Sequence, residues 1–271
     1  MKNNKRIIII LSIVFVLLVG VSTISAANNT TTTHTVKENK IAHETNISNQ
    51  INQKISDNRT YKNLKKDSEK KYYIAVNGSN DTDGLTPDTA WTYTHAFNTV
   101  TTPEYNNSII YIQPGTYNIT NTVNFNNSLT LTIDGNNTTL LSETHGNQCF
   151  NIINGNITIK NITFMNFYSQ YGTIYNSNNN TRLIGNTFIN DTGTGYAGGI
   201  YNSANNIEIT KNNFINLTGS YAGSIYSEGN NINLTNNTFL NNYATYYNGG
   251  VYLQGNNIRI TGNSNTIRLG Q

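Results

Sequence analysis

The stretch YAGGIYNSANNIEITKNNFINLTGS, residues 196–220, decides the fold, because the chain repeats it. YAGSIYSEGNN follows at Tyr221, YNGGVYLQGNN follows at Tyr247, and a looser YGTIYNSNNN comes earlier, at Tyr171. Self-similarity at a period of roughly 25 residues is the sequence signature of a solenoid, in which each repeat buries its apolar side chains against the next.

Three apolar rows and one asparagine row keep fixed positions within the repeats. The apolar rows are Phe164, Phe188, Phe214 and Phe239; Ile159, Leu183, Ile209 and Leu234; and Ile174, Ile200, Ile225 and Val251. The asparagine row, two residues after each phenylalanine, is Asn166, Asn190, Asn216 and Asn241. We expect the apolar rows to stack inside the solenoid and the asparagines to stack at its corners, each amide donating to a neighbour.

Each repeat contains three short β-forming runs separated by asparagine and glycine, and none is long enough to make a sheet alone. Three faces and about 25 residues per turn predict an all-β, right-handed, single-stranded parallel β-helix of about five to six turns, with a short N-terminal capping helix. Low-complexity disorder is the competing interpretation of an Asn/Thr-rich chain. The fixed register of the phenylalanine and isoleucine rows argues against it.

Composition narrows the function classes. The chain has 271 residues, of which 11% are charged and 52 are asparagine, a residue that favours turns over helices. Residues 28–71 hold nine Lys/Arg and five Asp/Glu, whereas residues 72–271 hold five and nine. A basic segment, residues 28–71, therefore precedes a mildly acidic region, residues 72–271. This lack of concentrated positive charge argues against a nucleic-acid partner.

The chain divides into four predicted regions. Residues 1–27 have the basic start, apolar run and small-residue cleavage site of a signal peptide. We expect a polar, basic, largely disordered linker at 28–71, an N-terminal cap with the first strands at 72–128, and the β-helix repeats at 129–271. The N-terminal segment would contact a membrane if it stays uncleaved, and the rest of the chain is expected to lie outside the membrane.

The predicted cap contains strand, loop and helix signals. YYIAV, residues 72–76, is typical of a strand, and four apolar residues within 89–100 can share one face of a short helix. The loop NGSNDTDG, residues 77–84, starts like a calcium-binding loop, but Ala90 stands where such a loop has its bidentate glutamate. We therefore expect an Asx-rich turn there. The single cysteine, Cys149, is expected to be a small buried apolar residue.

A resemblance to a known family supports the predicted fold. The stretches YYIAVNGSNDTDGLTPDTAWTYTHAFNTV and IIYIQPGTY resemble the N-terminal cap of right-handed parallel β-helix proteins of the pectate-lyase-like superfamily, and LTIDGNN at Leu131 resembles their first coil. The F-x-N and GG(I/V)Y motifs resemble the repeats of polymorphic outer-membrane proteins. The Asn/Thr-rich composition resembles that of adhesin-like surface proteins of methanogenic archaea. This resemblance covers about 72–271 and implies a fold that hosts both enzymes and adhesins.

The resemblance implies two chemistries, a calcium-dependent lyase with a basic residue or a hydrolase with carboxylates on adjacent turns. The acids do not align in this way. Arg182 and Glu208 predict a surface ion pair between turns, Asp191 and Glu228 fall in different rows, and Asp134 is expected to cap a turn. The sequence therefore predicts no catalytic residue, no metal ligand and no cofactor.

Two rows of tyrosine form the candidate binding site. The turn file is Tyr171, Tyr196, Tyr221 and Tyr247, and the strand file, which directly follows the Ile/Val row, is Tyr175, Tyr201, Tyr226 and Tyr252. Strand alternation is expected to turn the strand file outward, away from the core. One interpretation is an aromatic ladder that stabilises stacking. The other is an exposed strip that binds sugar rings or a partner protein.

These patterns predict a secreted or cell-surface adhesin-like protein that binds or displays carbohydrate or another cell-surface partner without catalysis. The alternatives are a polysaccharide lyase or glycoside hydrolase of the parallel β-helix type, and a glycosylated structural spacer. The chain has 18 Asn-x-Ser/Thr sequons. The glycosylation candidates are Asn118, Asn156, Asn190 and Asn216. Because an open β-helix end exposes unpaired strand edges, end-to-end self-association is also expected.

Overall fold

The computed structural model describes residues 69–143 and 146–267, with side chains up to Ser264. The predicted signal peptide and nearly all of the predicted linker lie outside these residues. Within the described part of the chain, no helix combines the length and the apolar character needed to cross a bilayer.

The cap begins with β1 (Lys70–Ile74), which pairs in parallel with β2 (Ser108–Ile112). The connection between these strands contains one α-helix, α1 (Tyr93–Val100), and two 3-10 turns at Pro87–Thr89 and Pro103–Tyr105. The predicted strand is present two residues earlier than expected, and the predicted helix begins only at Tyr93 but ends at Val100 as expected.

Helix α1 covers the first turn of the core. The side chain of Thr92 accepts a hydrogen bond from the backbone N–H of His95, which satisfies one of the unpaired donors at the helix start. The buried face of the helix consists of Ala96, Phe97 and Val100. Trp91 lies just before the helix, where it is 4% exposed and stacks on Tyr72 with ring centroids 5.2 Å apart.

Beyond the cap, the chain passes through four parallel β-ladders, numbered here in the order of passage. The first ladder contains β2, the first half of β5 (Thr130–Leu141), the first half of β7 (Asn156–Met165), β10 (Arg182–Ile184), β14 (Glu208–Thr210), β18 (Asn233–Thr235) and β21 (Arg259–Thr261). The second contains β3 (Thr116–Asn118), the second halves of β5 and β7, β11 (Thr187–Ile189), β15 (Asn213–Ile215), β19 (Thr238–Ala244) and β22 (Ser264–Ile267).

The third ladder is two residues wide and contains β8 (Tyr168–Ser169), β12 (Thr192–Gly193), β16 (Thr218–Gly219) and the end of β19. The fourth contains β4 (Val123–Phe125), β6 (Phe150–Ile152), β9 (Ile174–Asn176), β13 (Ile200–Asn202), β17 (Ile225–Ser227) and β20 (Val251–Leu253). Every strand pairing among the described residues is parallel, so the strands form an all-β parallel β-helix of about six turns. The sequence predicted three faces, and the short third ladder is an addition at one corner.

The phenylalanine row stacks inside the solenoid, as predicted. The ring centroids of Phe164 and Phe188 are 4.9 Å apart, and those of Phe188, Phe214 and Phe239 follow at 5.0 Å intervals. The parallel register pairs each phenylalanine with the next, which places like side chains directly over one another. Burying a phenylalanine side chain contributes about 1.5–3 kcal/mol, so this row is a major part of the core.

The prediction that this asparagine row stacks its side chains is wrong. Asn166, Asn190, Asn216 and Asn241 have φ angles of 63°, 57°, 57° and 55°. Asparagine tolerates this left-handed region better than other residues with a Cβ atom, because its short polar side chain can bond locally. The row therefore bends the backbone at a corner, and its side chains do not form the predicted ladder.

A buried amide ladder is formed instead by the row two residues before Phe188, Phe214 and Phe239, namely Asn186, Asn212 and Asn237, and Asn263 continues it in the next turn. Asn212 is representative: its Oδ1 accepts the backbone N–H of Asn186 at 2.8 Å, and its Nδ2 donates to the carbonyl of Leu183 at 2.8 Å. The bend between the first and second ladders takes backbone N–H groups such as that of Asn186 out of β-pairing. Buried side-chain amides satisfy them instead.

Candidate functional site

The tyrosine column, made of the turn file and the strand file together, lies outside the fourth ladder. Within β13, Ile200 is fully buried in the core and Tyr201 points to the opposite side, because successive side chains of a strand alternate. The register places Tyr201 between Tyr175 and Tyr226, and Tyr226 next to Tyr252. The predicted alternation of this row is therefore confirmed.

The two files interleave, which the sequence does not predict. Neighbouring rings along the column have centroids 4.3–5.8 Å apart. The tightest pair joins the files: Tyr196 of the turn file stacks on Tyr201 of the strand file, with the two ring planes 2° apart. Tyr247 stacks on Tyr252 in the same way at 4.9 Å. Such offset stacking adds roughly 0.5–1.5 kcal/mol per pair beyond the area that it buries.

Small residues between the tyrosines make this interleaving sterically feasible. Ala197 and Ala222 are fully buried and form isolated bridges, Ala197 with Ala222 and Ala222 with Asn248. A Cβ atom on Gly223, the glycine that follows Tyr221 and Ala222, would collide with the backbone carbonyl of Gly249. The Tyr-Ala-Gly motif of the repeat therefore forms a tight corner, and this corner places each turn-file ring over a strand-file ring.

Burial within the column corrects the expectation of an open strip. Tyr201 and Tyr226 are only 8% and 7% exposed, because rings of the turn file cover them. Exposed aromatic surface is concentrated near the C-terminal end of the column, where Tyr246 and Tyr247 are 68% and 55% exposed and both contact Tyr221. Tyr246 was not among the predicted site residues, although the doubled tyrosine in TYYNGG marks it in the sequence.

Two hydroxyl groups of the strand file donate hydrogen bonds to a carboxylate. The Tyr201 hydroxyl donates to Oε2 of Glu228 at 3.0 Å, and the Tyr226 hydroxyl donates to Oε1 at 3.1 Å. Burial, and after it the neighbouring carboxylate, raises the pKa of both tyrosines well above the ordinary value. Glu228 itself is exposed. It follows Tyr226 by two residues on the same strand face, and this spacing is the signal that sequence reasoning missed.

Glu228 belongs to a row that we call the polar edge, consisting of Ser177, Ser203, Glu228 and Gln254. In the last turn, Nε2 of Gln254 lies 3.0 Å from the Tyr252 hydroxyl and donates to it. Hydroxyl, carboxylate and amide groups therefore line one side of the aromatic column. Stacked rings beside such groups can hold the apolar face of a sugar ring and its hydroxyls together.

Other charged residues are paired on the first ladder. Arg182 Nε lies 2.8 Å from Glu208 Oε2, so the predicted surface ion pair is confirmed. Lys160 Nζ lies 3.0 Å from Asp134 Oδ2, a pair that was not predicted, although one repeat separates the two residues. Burial alone would raise the pKa of Asp134, but hydrogen bonds from Asn161, Lys160 and the Asn136 backbone, with the charge of Lys160, together outweigh it and lower the pKa. In the described part of the chain, no group of three or more His, Cys, Asp or Glu residues could hold a metal ion.

Asp191 lies inside the solenoid and is fully buried. Its Oδ1 accepts the backbone N–H of Phe167 at 2.9 Å, whereas Oδ2 has no hydrogen-bond partner among the described residues. Burial raises the pKa of Asp191 to about 8, and the hydrogen bond from Phe167 together with the proximity of the Thr173 hydroxyl offsets only part of that rise. The Thr173 hydroxyl itself donates to the carbonyl of Gly198 at 3.3 Å. Cys149 is a buried free thiol, as predicted.

The loop at 77–84 forms turns that support the cap. The Leu85 N–H donates to Asp83 Oδ1 at 3.0 Å, and the Thr89 hydroxyl donates to the same oxygen at 2.7 Å. The loop also holds Trp91, whose indole N–H donates to the carbonyl of Thr82 at 2.7 Å. The expected Asx-rich turn is confirmed in these bonds.

The four glycosylation candidates are all at the surface. Asn118, Asn156, Asn190 and Asn216 are exposed, and Asn118 donates to Glu143 Oε2 at 2.7 Å. Their side chains therefore lie where a transferase could reach them, and whether they carry glycans stays a prediction.

Comparisons with known proteins do not assign the chain to a family. No protein-family model and no curated protein matches it. Among solved structures, a pectate lyase is 16% identical over 64% of this chain and 62% of that chain, with a TM-score of 0.28. A rhamnogalacturonan lyase is 16% identical over 72% of this chain and 62% of that chain, with a TM-score of 0.24.

The chain thus spans less than two thirds of the length of either solved structure. At these TM-scores, neither similarity supports a statement about activity. The class of the protein is defined by its own ladders: it is an all-β parallel β-helix with an aromatic column on its fourth ladder.

Proposed function

We propose that this protein is a non-catalytic, adhesin-like β-helix that binds carbohydrate on the tyrosine column and acts outside the cell. The observation that carries the proposal is the column itself, in which stacked rings end in the exposed Tyr246 and Tyr247 and run beside the polar edge. Aromatic faces next to hydrogen-bonding groups suit pyranose rings, which have an apolar face and a rim of hydroxyls.

The N-terminal sequence supports the proposed location. Residues 1–27 have the layout of a signal peptide, and the polar segment 28–71 suits a tether between a surface and the β-helix. In this proposal, glycans on Asn118, Asn156, Asn190 and Asn216 would extend from exposed positions. Mass spectrometry of the protein from its native host, before and after enzymatic glycan removal, would test each of the four sites.

The binding proposal is tested by changing the exposed end of the column. A Tyr246→Ser, Tyr247→Ser double variant should weaken glycan affinity by about tenfold or more, because each lost aromatic contact contributes roughly 0.5–1.5 kcal/mol. The measurement is binding of the full chain to a glycan array, followed by titration with the best oligosaccharide. Tyr201 and Tyr226 are poor choices for this test because their burial would mix a folding defect with a binding defect.

Tyr168→Ser is the matched control for this double variant. Tyr168 is 46% exposed and lies on the third ladder, outside the tyrosine column. Its replacement removes an exposed ring of similar size from outside the column. The glycan affinity should therefore stay within about twofold of that of the parent protein. Equal loss of affinity in the control and the double variant would contradict a site on the column.

A structural spacer is the second candidate function. The mutual burial of Tyr201 and Tyr226 favours it, because rings that satisfy one another stabilise the stack without a ligand. An array on which the full chain binds no glycan would support the spacer. Released reducing or unsaturated sugars in the same wells would instead support a hydrolase or a lyase.

A further inference from the structure

We propose that the tyrosine column selects glycans that contain amino sugars with free ammonium groups, and that Glu228 is the residue that sets this preference. This inference rests on the proposed carbohydrate-binding function and specifies the class of glycan. Its starting point is charge. The segments that carry the two tyrosine files, residues 168–178, 192–206, 218–231 and 243–257, contain one charged residue in total, Glu228.

The position of Glu228 lets it contact a ligand that lies on the column. Its side chain is exposed, and its two oxygens are 3.0 and 3.1 Å from the hydroxyls of Tyr201 and Tyr226. Each hydroxyl bond uses one acceptor position, whereas a carboxylate offers about four. The two tyrosines thus fix the carboxylate in place and leave lone pairs directed toward solvent.

The chemistry at this position favours a cation over an anion. An ammonium group can donate charge-assisted hydrogen bonds to the carboxylate. A uronate carboxylate at the same place would face like-charge repulsion. An uncharged sugar would gain the stacking contacts alone. We therefore expect affinity to fall in the order amino sugar, neutral sugar, uronate.

The test uses three hexasaccharides of matched length: β-1,4-glucosamine, its fully N-acetylated form, and α-1,4-galacturonate. At pH 6 and low salt, the full chain should bind the glucosamine form about tenfold more tightly than the galacturonate, with the neutral form between them. Because the preference is electrostatic and partly exposed to solvent, it should shrink to about two- to threefold at 0.5 M salt.

Substitutions at the polar edge separate the role of Glu228 from general charge. Glu228→Gln should reduce the preference to within about twofold, because the glutamine amide carries no charge but can still bond to both tyrosine hydroxyls, its oxygen accepting from one and its NH2 donating to the other. Gln254→Glu, one turn further along the same row, should strengthen the preference. Glu104→Gln removes the same charge from an exposed position in the cap and should have no effect.

Each outcome decides the inference. A glucosamine preference that is lost in Glu228→Gln and kept in Glu104→Gln supports it. Tyrosine-dependent binding of the neutral hexasaccharide with no charge preference, or with a preference that Glu228→Gln leaves unchanged, overturns it while the proposed function stands. If none of the three hexasaccharides binds, the proposed function fails and this inference fails with it. Circular dichroism of each variant confirms that the β-helix is intact.

Discussion

Asp191 is a carboxyl group at a position built for an amide. Its equivalent in a later turn is Asn242, whose Oδ1 accepts the Leu217 N–H at 2.8 Å and whose Nδ2 donates to the Phe214 carbonyl at 2.9 Å. Asp191 reproduces the first bond, to the Phe167 N–H, but its second oxygen takes the place of the amide donor. A protonated carboxyl could donate there, and an ionised one could not.

The stability of the protein should therefore fall as the pH rises. The pKa of Asp191 is about 8 in the folded protein against an ordinary value of 3.8, so the folded state holds more protons than the unfolded state between about pH 4 and pH 8. In that window, each pH unit should cost about 1.4 kcal/mol of unfolding free energy from this group alone. Urea denaturation at several pH values measures the slope.

Replacing Asp191 by asparagine tests this account. Asp191→Asn restores the amide donor, so we expect the variant to be more stable than the parent protein at pH 8 and to lack the Asp191 contribution to the slope. The reverse change, Asn242→Asp, is the matched control and should introduce a new slope of the same sign. An unchanged slope in Asp191→Asn would show that the carboxyl titrates normally.

At the scale of structural elements, the buried amide ladder between the first and second β-ladders stabilises the solenoid. Each of its asparagines accepts a backbone N–H that the bend leaves without a β-partner and donates to a strand carbonyl of the preceding turn. These bonds link one turn to the next at a place where the chain changes direction. Loss of one amide would leave a buried backbone N–H unsatisfied and remove one hydrogen bond to a carbonyl of the preceding turn.

Asn212→Ala should accordingly destabilise the protein by about 1–3 kcal/mol, because it orphans the buried Asn186 N–H and removes one hydrogen bond to the Leu183 carbonyl. Chemical denaturation measures the change in unfolding free energy. Asn213→Ala, one residue further on, changes an exposed side chain with a single bond to the Thr187 hydroxyl at 3.4 Å. It should cost less than about 0.5 kcal/mol. Similar losses in the two variants would contradict the importance of the amide ladder.

For the whole molecule, the repeat architecture predicts that a complete turn can be removed. Deleting residues 208–232 joins Ile207 to Asn233, the residue that pairs with Glu208 in the next turn, so each ladder keeps its register. We expect this variant to fold cooperatively, with a smaller denaturant m-value because less surface is buried.

Deleting 20 residues, 208–227, is the matched control for the turn deletion. It removes less of the chain but breaks the register, so apolar rows would face solvent and polar rows would face the core. The control should lose the β-sheet circular dichroism spectrum that the in-register deletion keeps. If both variants unfold, the turns are not the independent units that the ladders indicate.

Much of this molecule could be predicted from the sequence, because a solenoid converts sequence spacing into spatial neighbours. The spacing of Phe188 and Phe214 alone places one ring over the other, and strand alternation separates Ile200 from Tyr201. The same spacing predicts the ion pair of Arg182 with Glu208. These contacts run along a row, where the period determines which residues meet.

The sequence by itself thus determined the repeat, the core rows and the parallel β-helix. The tertiary structure decided what happens between rows: that the tyrosine files interleave and bury one another, that Glu228 receives two tyrosine hydroxyls, and that buried amides occupy one corner instead of another. The physical reason is that period sets the neighbours along the solenoid axis. Contacts across a corner depend on backbone bends such as the left-handed Asn216, whose direction the repeat period alone does not determine.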